Sequence, residues 1–118
     1  MENDNEIVKS SAINLNVHLN KAKLPVAIDW KAEDSPNSEK QNCEAFQLSI
    51  WDTESKSAFK IDLWTTKMTI EEMNHFTFQN MFTIADSFFK ATGNKEEAEK
   101  IRTFAKEFGE RNEVIKPS

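Results

Sequence analysis

Between Ile13 and Leu19 apolar and polar residues alternate without a break: Ile13, Leu15, Val17 and Leu19 at odd positions, Asn14, Asn16 and His18 between them. A period of two is the mark of a strand with one buried face. The pattern returns at Val26, Ile28, Trp30 and Ala32, and Lys21 to Pro25 supply a turn. Pairing Leu19 with Val26, Val17 with Ile28 and Leu15 with Trp30 keeps both apolar sets on one side. Glu33 to Asn42 is polar, contains Pro36, and reads as a loop.

Alternation resumes with Phe46, Leu48 and Ile50, and again with Phe59, Ile61 and Leu63. A turn near Ser55-Lys56 sets Ile50 against Ile61 and Leu48 against Leu63. The opposite face then carries Trp51 near Lys60 and Gln47 near Trp64, so two of the three tryptophans point away from the aliphatic side.

After Leu63 the spacing becomes helical. Thr69-Ile-Glu-Glu72 is a capping box, with Met68 and Met73 at the positions of a hydrophobic staple. Ile70, Met73, Met81, Ile84, Phe88 and Ala91 fall on one stripe, and Phe78, Phe82, Ala85 and Phe89 on a second. So wide an apolar arc calls for two neighbours. Gly93 stops this helix as a left-handed cap. Asn94 starts another, with Ala98, Ile101, Phe104, Ala105 and Phe108 inward and an end at Gly109. The expected fold is α+β: a four-stranded antiparallel sheet followed by an αα-hairpin packed on one face. A flexible segment 1–11, a single domain 12–111 and a tail 112–118 complete the expected organisation.

Composition narrows the function more than it defines it. With 118 residues the chain is large enough for one core and needs no disulfide, and its single cysteine, Cys43, could not form an internal one. A net charge of −5 weighs against nucleic acid, whose phosphates require concentrated lysine and arginine. Two glycines leave no phosphate-cradling loop. The opening Met1 to Glu6 is acidic and polar where a secretory signal is basic and then apolar, and no run approaches the roughly 20 residues of a membrane span. A cytoplasmic protein without direct membrane insertion is expected.

The reactive residues form no constellation. His18 sits on the polar side of its strand. His75 follows Glu71 by four residues, which makes a helical surface pair but too few ligands for structural zinc. Cys43 has no histidine or second cysteine beside it. Asp29, Asp52 and Asp62 would act as acid and base only in a desolvated pocket, which an open sheet face does not offer. Neither catalytic residues, cofactor nor metal is expected. Seven of nine phenylalanines lie in the helices, where a core accounts for them. Trp51 and Trp64 remain, with Lys60, Asp62 and Asp29 as their polar company, as a candidate interaction surface; tryptophan is enriched where interfaces form. A protein partner or a second copy of the chain are both candidates for it.

Several stretches are similar to the GldC family of gliding-motility proteins: Ser49–Asp52 (S-I-W-D), Lys60–Met68 (K-I-D-L-W-T-x-x-M), Thr83–Gly93 (T-I-A-D-S-F-x-x-A-T-G) and the A-I-D-W ending at Trp30. Their order and spacing carry the resemblance. It implies a non-enzymatic accessory of the gliding apparatus of Bacteroidetes, with partners in that apparatus or its linked secretion system and recruitment to the membrane through a partner. It transfers no site residue. Strands followed by two helices on an acidic chain are also similar to the SecB export chaperone, which implies an alternative: holding unfolded clients on apolar grooves.

Overall fold

A computed structural model describes residues 4–37 and 39–117. The chain divides after Met68 into two compact units.

The first unit holds five strands: β1 (Ile13–Leu19), β2 (Pro25–Ala32), β3 (Gln41–Cys43), β4 (Ala45–Asp52) and β5 (Ser57–Trp64). They form two antiparallel sheets, β1-β2-β3 and β4-β5, not the single four-stranded sheet expected. The additional strand is β3, which pairs Cys43 with Ile28, Asn42 with Asp29 and Gln41 with Trp30. It lies at the end of what reads as a loop because three mostly polar residues display no alternation. Its backbone alone makes it a strand.

Val17 faces Ile28 and Leu15 faces Trp30, as the alternation requires. Beyond His18 the register slips, so Leu19 faces Pro25 rather than Val26. Pro25 has no N–H to give the ladder, and such residues gather at strand starts and bulges. The turn itself is Asn20 to Leu24. The Asn20 side chain accepts from the N–H groups of Ala22 (2.9 Å) and Leu24 (3.1 Å), and Lys23 takes a left-handed φ of 63°. As the central strand, β2 is covered on both sides: Ile28 is 1% exposed and Asp29 5%.

In the hairpin, Ile50 faces Phe59, Leu48 faces Ile61 and Phe46 faces Leu63. The faces are those expected, but the register is displaced by two residues along β5. Asp52 sets it. Its carboxylate accepts from Ser55 N–H (2.8 Å), its carbonyl accepts from Lys56 N–H (3.0 Å), and Lys56 takes φ 53°. Those bonds close the loop between Asp52 and Ser57, ahead of the Ser55-Lys56 centre. The aliphatic face stays largely open, with Ile50, Phe59 and Ile61 exposed.

Where the two sheets meet, Thr65 is buried. Its N–H donates to Glu44 carbonyl (2.8 Å), its hydroxyl donates to the Glu44 carboxylate, and Thr66 N–H donates to Pro25 carbonyl (3.0 Å).

The second unit is α1 (Ile70–Thr92) and α2 (Lys95–Arg111). Thr69 and Glu72 form the reciprocal capping box, and Gly93 ends α1 at φ 72° with its N–H on Phe89 carbonyl (2.7 Å). Asn94 caps α2 by accepting from Glu97 N–H (3.1 Å). Arg102 bridges the helices, 2.7 Å from Asp86 on α1 and 2.7 Å from Glu99 on its own helix.

Gly109 does not end α2, which continues to Arg111. A Cβ there would stand 2.7 Å from the Phe78 ring and 3.1 Å from Ile115, so the glycine is required by close approach of α1 and the returning chain. The stop comes at Glu113, φ 57°, where Glu113 N–H reaches Glu110 carbonyl and Val114 N–H reaches Gly109 carbonyl. That pair of bonds is a Schellman cap. The buried residues of the helices are all small: Ala85, Ala98, Ala105 and Gly109. Ile70, Ile84 and Phe104, expected inward, are exposed. Phe104 lies at the rim, with the Arg111 guanidinium 5.9 Å from its ring centre.

Candidate interaction surface

Period two places Trp51 of β4 and Lys60, Asp62 and Trp64 of β5 on the same face of the hairpin, opposite the aliphatic one. Trp51 faces Ala58 across the ladder, and Trp64 faces Ala45. A cross-strand neighbour shields a side chain only as far as it can reach. Alanine reaches nowhere, and the indoles are 68% and 54% exposed. Neither Lys60 nor Gln47 lies opposite a tryptophan: Lys60 faces Ser49, and Gln47 faces Asp62.

The two tryptophans occupy opposite ends of this face, Trp51 next to the turn and Trp64 at the base, about 20 Å apart at strand rise. Between them Lys60 Nζ stands 3.6 Å from Asp62 Oδ2. The arrangement is aromatic, charge couple, aromatic along one two-stranded ribbon. Indoles in such a row can supply contact area at little entropic cost, and a charge couple can set the register of a contact.

Trp64 also borders a shallow cleft of about 260 Å³, lined by Leu24, Pro25 and residues from Asp62 to Thr66. Leu24 belongs to the β1–β2 turn and is half exposed. The alternation of β1 and β2 gives no sign of this neighbour, because the bond from Thr66 to Pro25 that brings the turn alongside β5 is tertiary.

Asp29 lies elsewhere. It is on β2 of the three-stranded sheet, where its carboxylate accepts from His18 Nε2 (2.7 Å) and Asn16 Nδ2 (3.0 Å), with Lys40 Nζ 4.0 Å away. The His18 bond first, and the Asn16 bond second, hold its carboxyl below the usual carboxylate range. The donors complete the buried carboxylate's shell, a structural role. Asp52 is engaged in its turn, so the three aspartates are not brought together. Burial pushes the Cys43 thiol up, away from the reactive thiolate. Among the described residues no group of three or more His, Cys, Asp or Glu could hold a metal ion, and no helix is long and apolar enough to cross a membrane.

A family profile described as gliding motility-associated protein GldC-like matches residues 25–114, a span that contains β2 to β5 and both helices. No curated protein and no solved structure matches the chain.

Proposed function

Because the chain belongs to the GldC-like family of gliding motility-associated proteins, we propose that it serves the motility machinery as a non-enzymatic interaction module, docking a protein partner on the tryptophan face of β4–β5. One observation carries this: Trp51 and Trp64, each opposite an alanine, stand exposed on one face of the hairpin with Lys60 and Asp62 between them. A solvent-facing indole contributes little to stability, so two of them on one hairpin face are better explained by binding. The partner belongs to the gliding apparatus or its linked secretion system. The protein works from the cytoplasm and reaches the envelope through that partner; recovery with periplasmic markers in cell fractionation overturns this location.

The double change Trp51→Ser and Trp64→Ser tests the face. Unfolding midpoints should stay close to wild type, since little packing is lost at exposed positions. Titration against partner captured by the wild-type chain should show binding weakened at least tenfold, the ordinary effect of removing interface tryptophans. An unfolded double variant places the indoles in the core; a folded variant that binds normally removes the face from function.

A second reading, a SecB-like holder of unfolded chains, draws on the open aliphatic face with Ile50, Phe59 and Ile61. Suppression of aggregation of unrelated denatured proteins, lost in Ile61→Ser and kept in the double tryptophan variant, would favour it.

A further inference from the structure

Helix α2 has a buried side and an open one. Ala98, Ala105 and Gly109 are turned into the seam with α1, and Ile115 of the returning chain packs against Gly109. About 120° round the helix from that seam runs a line of residues seven apart: Glu97, Phe104 and Arg111. All three are exposed, as are Lys100 and Glu107 beside the line, and Phe104 at its centre is 56% open. Charge alternates along it. Lys100 and Glu107 stand about one turn from Phe104 on either side, and Glu97 and Arg111 about two turns. Reversing the direction of the helix therefore exchanges every charge for its opposite and leaves Phe104 in place. Within one chain the contacts of these groups stay in solvent: Lys100 lies 3.0 Å from Glu97 with both side chains more than half exposed, and the Arg111 guanidinium lies 5.9 Å from the Phe104 ring centre.

We infer that α2 packs antiparallel against α2 of a second copy, about a two-fold axis at Phe104. In that register Phe104 meets the partner's Phe104. Lys100 comes beside the partner's Glu107 and Glu97 beside the partner's Arg111, each twice over, as an isologous interface requires. Charges flanking an apolar helix contact are what set partner and direction in helix pairs generally.

Other alignments lose this match. An axis near Arg102 sets Glu97 beside the partner's Glu107. One between Ala105 and Lys106 sets Lys100 beside the partner's Arg111. An axis at Lys100 or at Glu107 sets that residue on its own copy, and a parallel pair sets every charge on its like. Only the axis at Phe104 stacks the aromatic on itself and gives each flanking charge an opposite. This contact lies on the helical unit and does not rest on the tryptophan face.

Sedimentation of the full chain over a concentration series up to about 0.5 mM should show a weak monomer–dimer equilibrium, as suits a contact of about four helical turns. Phe104→Ser should weaken the dimer at least tenfold, with helical circular dichroism retained because the ring is already exposed. Lys100→Glu and Glu107→Lys should each weaken it about tenfold, since each sets like charges side by side twice. Mixed together, these two variants should form a heterodimer as readily as wild type dimerises, because each supplies the charge the other lacks. Loss of helix stability within one chain cannot produce that rescue. In a Cys43→Ser background, Phe104→Cys should crosslink to itself on mild oxidation, because facing Cα atoms of packed helices come within about 4–6 Å. Lys106→Cys, on the far side of the helix, should not. A chain monomeric throughout, a dimer indifferent to Phe104→Ser, a mixture no better than its components, or crosslinking at position 106 in preference to 104 overturns the inference. The double tryptophan variant should dimerise like wild type; a dimer lost there would place the contact on the hairpin face and overturn the inference as well.

Discussion

Asp29 shows how much one side chain can conceal in a sequence. Adjacent to Trp30 in an alternating strand, it reads as a surface carboxylate; in the sheet it is 5% exposed and bonded to Asn16 and His18. Asn16 is its direct cross-strand partner, whereas His18 reaches it diagonally. Because its folded pKa is depressed, the stabilisation it contributes is present above the unfolded carboxylate range and is lost as pH falls through the lower folded value. Unfolding midpoints should therefore decline as pH is lowered below about 4, and Asp29→Asn should flatten that decline. An unchanged acid limb would remove Asp29 from the account. Gly109 hides a different requirement. Alanine in its place gains about 1 kcal/mol of helix propensity but drives a methyl group into the Phe78 ring. Overpacking of this kind costs about 1–3 kcal/mol, and Phe78 is itself edge-on against Phe82, ring centres 5.0 Å apart. Gly109→Ala should be net destabilising in chemical denaturation; a more stable variant would show that the ring yields freely.

At the scale of elements, start signals were the most legible part of the chain. Thr69 and Asn94 cap their helices, and Gly93 turns left-handed, because each acts through backbone groups within a few residues. Thr69→Ala should cost about 1 kcal/mol, read as a lowered denaturant midpoint; an unaltered midpoint would mean that water satisfies Glu72 N–H equally well. Strand faces were legible for the same local reason. Registers were legible only where the turn was ordinary. Asp52 displaces the β4–β5 ladder by two residues, and Pro25 displaces the end of β1–β2 by one. The tryptophan face survives this because a displacement of two preserves every side. What the sequence hid depends on distant partners: the β3 strand, the cleft that Leu24 forms beside Trp64, and the difference between a glycine that ends a helix and one that admits a ring.

At the scale of the whole molecule, the family match spans β2 to the end of α2 and leaves β1 outside it. Within that span the largest fully buried side chains are Ile28 and Thr65, and many large apolar residues face outward. The seam between α1 and α2 adds an entropic property. Alanine and glycine bring no rotatable side-chain bonds to it, so joining the helices there forfeits almost no rotamer entropy. Adjustment at this seam falls to larger neighbours such as the Phe78 ring beside Gly109. The α2 helix, 17 residues or about 25 Å long, runs between the Gly93 turn and the Glu113 cap with Ala98, Ala105 and Gly109 buried along it. The entropic cost of ordering those three positions and Ala85 of α1 is therefore almost entirely backbone.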